Sequence, residues 1–176
     1  MDYQKSYWNM LSDLIYARYY WKEIAISSEK RLKWLKIILM IVSCGGVTAF
    51  LAMFDNVFVR WISAVLVIVG QVVTALLPIL GYEMQIRSLL DVSSRLSVIS
   101  IMVERTWMDI AEGAMTQDEI WRLVDYYSSN ITDIEHCLDL YNIQYNEKAH
   151  KKADELQGEY LENKFPVSET VTSETP

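Results

Sequence analysis

Apolar residues along this 176-residue chain follow two patterns. In the first they recur every three or four positions, the repeat of a helix that buries a single stripe. Tyr7, Met10, Leu14, Ala17, Trp21 and Ile24 keep that spacing and predict a helix from about residue 4 to residue 26. Ser27 and Ser28, just ahead of the charged stretch 29–36, predict a break and a restart there. Leu89, Val92, Leu96, Ile99, Val103, Thr106 and Ile110 form a second stripe. Its helix is expected to close near Glu112, with Gly113 supplying the left-handed residue of a C-terminal cap. Thr116 and Glu119 have the spacing of a capping box, which starts another helix. Along that helix Val124, Tyr127, Ile131, Ile134, Leu138 and Tyr141 make a third stripe, read as an interaction seam. Two seams of similar length on either side of a tight turn predict an antiparallel helical hairpin over residues 83–165. Residues 166–176, polar and rich in Ser, Thr and Glu, predict a disordered tail.

The second pattern is continuous. Residues 37–54 and 61–82 contain no charge over 18 and 22 positions, lengths that reach the threshold for a membrane-crossing helix. At the helical rise they cover roughly 27 and 33 Å, against a hydrocarbon core of about 30 Å. The alternative, two helices buried in a protein core, needs more apolar covering surface than so short a chain offers. The link over residues 55–60 is too short to recross, so the expectation is a transmembrane hairpin with both ends on one side. Lys30, Arg31, Lys33 and Lys36 precede the first run and Arg87 and Arg95 follow the second, whereas the link carries only Arg60. That distribution predicts cytoplasmic termini and a multi-pass protein of the inner (plasma) membrane. The expected fold class is all-α: a cytoplasmic N-terminal helix and basic approach over 1–36, a transmembrane hairpin over 37–82, and the cytoplasmic hairpin beyond.

Charge sharpens the division. Residues 1–36 carry a formal +3 and residues 83–165 a formal −8, within a net −7. An acidic distal region argues against a nucleic-acid partner. Two cysteines, Cys44 and Cys137, do not make a disulfide framework.

Polar and small residues in the apolar runs are the candidate sites. Gln71, with Thr74, Ser63 and Gly70 near one face, either bonds across to a neighbouring helix or lines a lumen. Cys44, Gly45, Thr48, Ala49 and Ala52 have the small-residue spacing of close helix packing. His136 and Cys137 are adjacent and point about 100° apart, with no cluster to complete a metal site. His150 and the acidic Asp133, Glu135 and Asp139 read as solvated faces. No phosphate loop, nucleophile elbow or zinc-protease motif is present, so no enzyme, metal or cofactor is expected.

The helix containing Tyr16, Ala17, Arg18, Tyr19 and Tyr20, the approach Arg31, Lys33 and Trp34, two apolar runs and a long helical extension resemble the SLATT family of two-transmembrane effector domains. The resemblance implies a bacterial defence effector that assembles as a homo-oligomer, forms a pore in membrane lipid and answers to a cytoplasmic nucleotide-signalling or sensor protein. The expected function is therefore membrane permeabilisation against phage, with a non-conducting, membrane-anchored scaffold as the alternative.

Overall fold

The computed structural model describes residues 3–43, 57–76 and 81–166, with the side chains of 42, 43, 57–60, 62–64, 66 and 67 excepted. All regular structure among the described residues is helical: α1 (Tyr3–Ser43), α2 (Val57–Leu76), α3 (Tyr82–Ala111), α4 (Gln117–His136) and α5 (Glu147–Lys164). The all-α part of the expectation therefore holds.

The transmembrane hairpin does not. No helix among the described residues is long and apolar enough to cross a membrane. Of the first apolar run only residues 37–43 belong to a described helix, the 41-residue α1, whose other turns carry ten charged residues. Arg60, placed in the link by sequence, sits in the first turn of α2, which is described over Val57–Leu76. The described uncharged part of α2, residues 61–76, rises about 24 Å, against a hydrocarbon core of about 30 Å. Readings that rest on two spans fall with them: the SLATT resemblance, the pore-forming effector and its scaffold alternative, lipid as a partner, the homo-oligomer and sensor partner, and the multi-pass placement at the inner membrane.

Ser27 and Ser28 do not break α1 either. Residues 3–43 contain neither Gly nor Pro, so two isolated serines cost too little helix propensity to stop it.

The chain divides into two compact units, residues 1–24 with 88–176, and residues 25–87. In the first unit the N-terminal half of α1 is central. It runs antiparallel to α3: the Gln4 amide donates to the Ile110 carbonyl, the buried Tyr7 hydroxyl to the Val103 carbonyl at 3.0 Å, and the Ser93 hydroxyl to the Arg18 carbonyl. Tyr7, Leu11, Leu14, Leu89, Val92, Leu96, Val103 and Ile110 are fully buried, so the first two apolar stripes close on each other. α5 runs antiparallel to α1: Gln157 Nε2 donates to the Ser12 carbonyl at 2.7 Å, and Trp8 packs edge-on against Phe165. α5 is fixed to α3 as well, because Glu104, only 3% exposed, accepts from the Tyr160 hydroxyl at 2.7 Å and from the Lys164 ammonium.

The α3–α4 turn forms as its residues dictate. Gly113 adopts φ +74°, and the backbone N–H groups of Gly113 and Ala114 close onto the Ile110 and Asp109 carbonyls. The Thr116–Glu119 capping box is complete.

In the second unit, Lys36 pairs with Glu83 and Lys33 with Glu29. Leu39 and Ile86 are buried, while Trp34, Ile38, Met40, Trp61, Ile68 and Val72 are exposed.

Candidate functional site

α4 meets α1 differently from α3. The two helices run parallel: at one end Tyr3 packs against Trp121 and Tyr7 edge-on against Tyr127, and at the other the Trp21 indole N–H donates to Glu135 Oε1 at 2.8 Å. Between these ends the seam is open. Ile120 is buried, but Val124, Tyr127, Ile131 and Ile134 are only half-buried.

The opening is a trough of two adjoining cavities that share Glu135. One, of ≈ 610 Å³, has Met10 and Leu14 of α1 and Ile131 of α4 among its apolar walls, with Ser6, Asn9, Asp13, Tyr16, Ser128 and Thr132 around them. The other, of ≈ 660 Å³, is lined by Trp21, Glu135, Leu138 and the segment that follows α4, including Asp139, Tyr141 and Asn142. That segment turns because α4 ends at His136, so Leu138 and Tyr141 reach the site from a turn rather than from the helix expected there. Tyr141 is fixed by its hydroxyl, 3.2 Å from Ser88 Oγ.

The charge of the trough has one sign. Among the described residues its lining contains three carboxylates, Asp13, Glu135 and Asp139, and no Lys, Arg or His. Asp139 also faces the exposed His136, whose Nδ1 is 2.5 Å from Oδ2. Aromatic rings accompany the carboxylates at Tyr16, Trp21 and Tyr141.

Tyr16 connects the trough to α5. Its hydroxyl is 2.6 Å from His150 Nδ1, and His150 Nε2 is 3.5 Å from Asp154. A proton on Nε2 faces Asp154 and leaves Nδ1 to accept from Tyr16. Partial burial, and after it the negative charge of Asp154 and the neighbouring Tyr20 and Tyr145, raise the Tyr16 pKa above the ordinary tyrosine value. The hydroxyl is thus kept protonated, a hydrogen-bond donor rather than a nucleophile. His150, read from sequence as solvated, is a packing and hydrogen-bonding residue, and Glu135, read the same way, holds Trp21.

Ile131, Leu138 and Tyr141 of the expected seam line the trough, Tyr127 packs edge-on against Tyr7, and Val124 and Ile134 are half-buried on α4 outside its lining. Gln71, Thr74, Gly70 and Ser63 lie on α2, in the other unit. Gln71 is exposed, Gly70 is buried, and the Thr74 hydroxyl donates to the Gly70 carbonyl at 2.8 Å, a bond inside its own helix. The Ser63 side chain, together with Cys44, Gly45, Thr48, Ala49 and Ala52, lies outside the described residues, as does the expected tail beyond Pro166. Among the described residues no group of His, Cys, Asp or Glu is placed to hold a metal ion. Sequence reasoning missed Glu104, the carboxylate that ties α3 to α5. Its position next to Val103 in the stripe was the available signal.

Compared with family models, curated proteins and solved structures, the chain matches none.

Proposed function

We propose that the chain is a non-catalytic, ligand-binding helical domain whose α1–α4 trough takes up a cationic molecule. The observation that carries this reading is the trough's lining: an apolar floor from two helices and, among the described residues, carboxylates as the only charged groups. A low-dielectric wall behind same-sign charges raises the local concentration of the opposite ion. Half-buried Ile131 supplies surface for an apolar stem, with the more deeply buried Met10 and Leu14 behind it. Tyr16, kept protonated and tied to His150, supplies a fixed wall rather than a reactive group.

Butylammonium, butyrate and butanol share a stem and differ in charge, so they test the reading directly. In a methyl NMR titration only butylammonium is expected to shift Met10, Leu14 and Ile131, and its effect falls as salt is added. Equal shifts with butyrate or butanol, or no shift at these methyls, contradict the reading.

A further inference from the structure

We infer that α5 is a strap: a helix that lifts off α1 and α3 and melts as a unit while the sealed α1–α3 seam stays folded. The way it is held points there first. Over its 18 residues only Ala149 and Ala153 are buried, and both are small. Leu156 and Leu161 are half-buried. Its ties to other helices are mostly polar: His150 to Tyr16, Gln157 to Ser12, Lys152 to Glu23, and Tyr160 and Lys164 to Glu104. Two ring contacts are added, Tyr160 with Tyr19 and Phe165 with Trp8. Water replaces a hydrogen-bond partner when the helix lifts, so each polar tie holds it down by little net free energy. Glu104, nearly sealed while α5 is docked, is then hydrated rather than stranded. The α1–α3 seam is held instead by Leu89, Val92, Leu96 and Val103, fully buried side chains whose exposure water does not offset.

The helix itself is weak once undocked. Most of a helix's stability in a protein comes from packing one face, so α5 off its site is left to propensity alone. Gly158 lowers that propensity from within, since Gly is among the least favourable residues of a helix interior. A Cβ added there would meet no atom within 4 Å, so packing does not require the glycine. Lifting and melting therefore go together.

The chain leading into α5 permits the movement. Between α4 and α5 the backbone N–H groups of Leu138, Asp139, Tyr141 and Ile143 bond to carbonyls two or three residues back, and Leu140 and Tyr145 are exposed. These local bonds survive when the helix beyond them leaves. What the strap covers is the face of α1 around Ile15, fully buried, whose neighbours at helical spacing include Ser12 and Tyr19. Lifting α5 also takes His150 away from Tyr16, so the trough loses the fixed position of one wall.

The test is native-state amide hydrogen exchange on the full chain in low urea, where rates report opening equilibria. The α5 amides are expected to share one protection factor, at least about tenfold below that of the α3 seam amides, and a weaker urea dependence. Gly158→Ala is expected to slow α5 exchange about fivefold. Ile110→Val, one methylene removed from the sealed seam, is expected to speed the α3 seam amides about fivefold and leave α5 unchanged, because the seam is intact while the strap is open. One protection factor and one urea dependence common to α5 and α3 would overturn the inference, since the two would then open together. So would equal acceleration of α5 and α3 in Ile110→Val. Protection in α5 that falls smoothly from its middle to its ends would replace the strap with simple fraying, and α5 rates unmoved by Gly158→Ala would rule out melting as the opening step.

Discussion

Within the first unit α1 forms two seams from the same kind of sequence, and they end differently. Against α3, running antiparallel, stripe meets stripe, and Leu89, Leu96 and Val103 are sealed. Against α4, running parallel, contact is made at the ends through Tyr3–Trp121 and Trp21–Glu135, and the middle stays open over Met10 and Ile131. A three-four repeat therefore says which face turns inward, but not whether the facing helix fills the space. What decides is the partner residue. α3 offers apolar residues at nearly every seam position, whereas α1 offers Ser6, Asn9 and Asp13 toward α4.

That contrast is broken most forcefully by cavity mutations. Leu96→Ala is expected to cost about 3 kcal/mol or more in denaturant unfolding, because its closed surroundings leave a void. Ile131→Ala, at the open seam, is expected to cost about 1 kcal/mol. Similar costs would mean that the seams are equally packed.

Next in size is the polar tie between α3 and α5. Glu104→Ala leaves the Tyr160 hydroxyl and Lys164 ammonium without their acceptor and is expected to cost about 2 kcal/mol by thermal or denaturant unfolding.

The closed seam also has a pH signature. Burial raises the Tyr7 pKa well above the ordinary value of 10.0. Lys164 is raised too: burial, the largest influence, opposes its charge, but hydrogen bonds to Glu104 and Tyr160 and the Glu104 charge outweigh it. For both groups the protonated form is the one the fold favours. Their contribution is complete below the unfolded values, near pH 10, and is lost as pH rises through the folded ones. Stability is expected to fall above pH 10, with a limiting slope of about 1.4 kcal/mol per pH unit for Tyr7 alone. Tyr7→Phe is expected to flatten that slope, and an unchanged slope would place the buried hydroxyl elsewhere.

The smallest effect is at the turn that sets the direction of α4. Gly113→Ala must hold φ +74° with a side chain and is expected to cost about 1 kcal/mol of unfolding free energy, with room for the added methyl but strain in the backbone.

The turn was the most legible part of the chain. Gly113, Thr116 and Glu119 act through bonds to residues three to five positions away, so local sequence contains the whole interaction. The α3 stripe was legible for a similar reason, since burial follows its period. The apolar runs misled because absence of charge was equated with a continuous helix. Arg60 lies inside α2 rather than in a link, and no helix among the described residues is long and apolar enough to cross a membrane. The trough was half legible: Ile131, Leu138 and Tyr141 were singled out as a seam, but Asp13, Glu135 and Trp21 come together across more than a hundred residues, and no local spacing encodes such a contact. His150 and Glu104 were hidden in the same way, each fixed by a partner on another helix.

Cysteine labelling compares the two seams most directly. In a background lacking Cys44 and Cys137, Ile131→Cys is expected to react with a small thiol reagent in the folded protein, at a rate between those of an exposed and a buried cysteine. Leu96→Cys is expected to react only as fast as the protein unfolds. Protection at position 131 equal to that at position 96, without ligand, would show a closed α1–α4 seam and contradict the account.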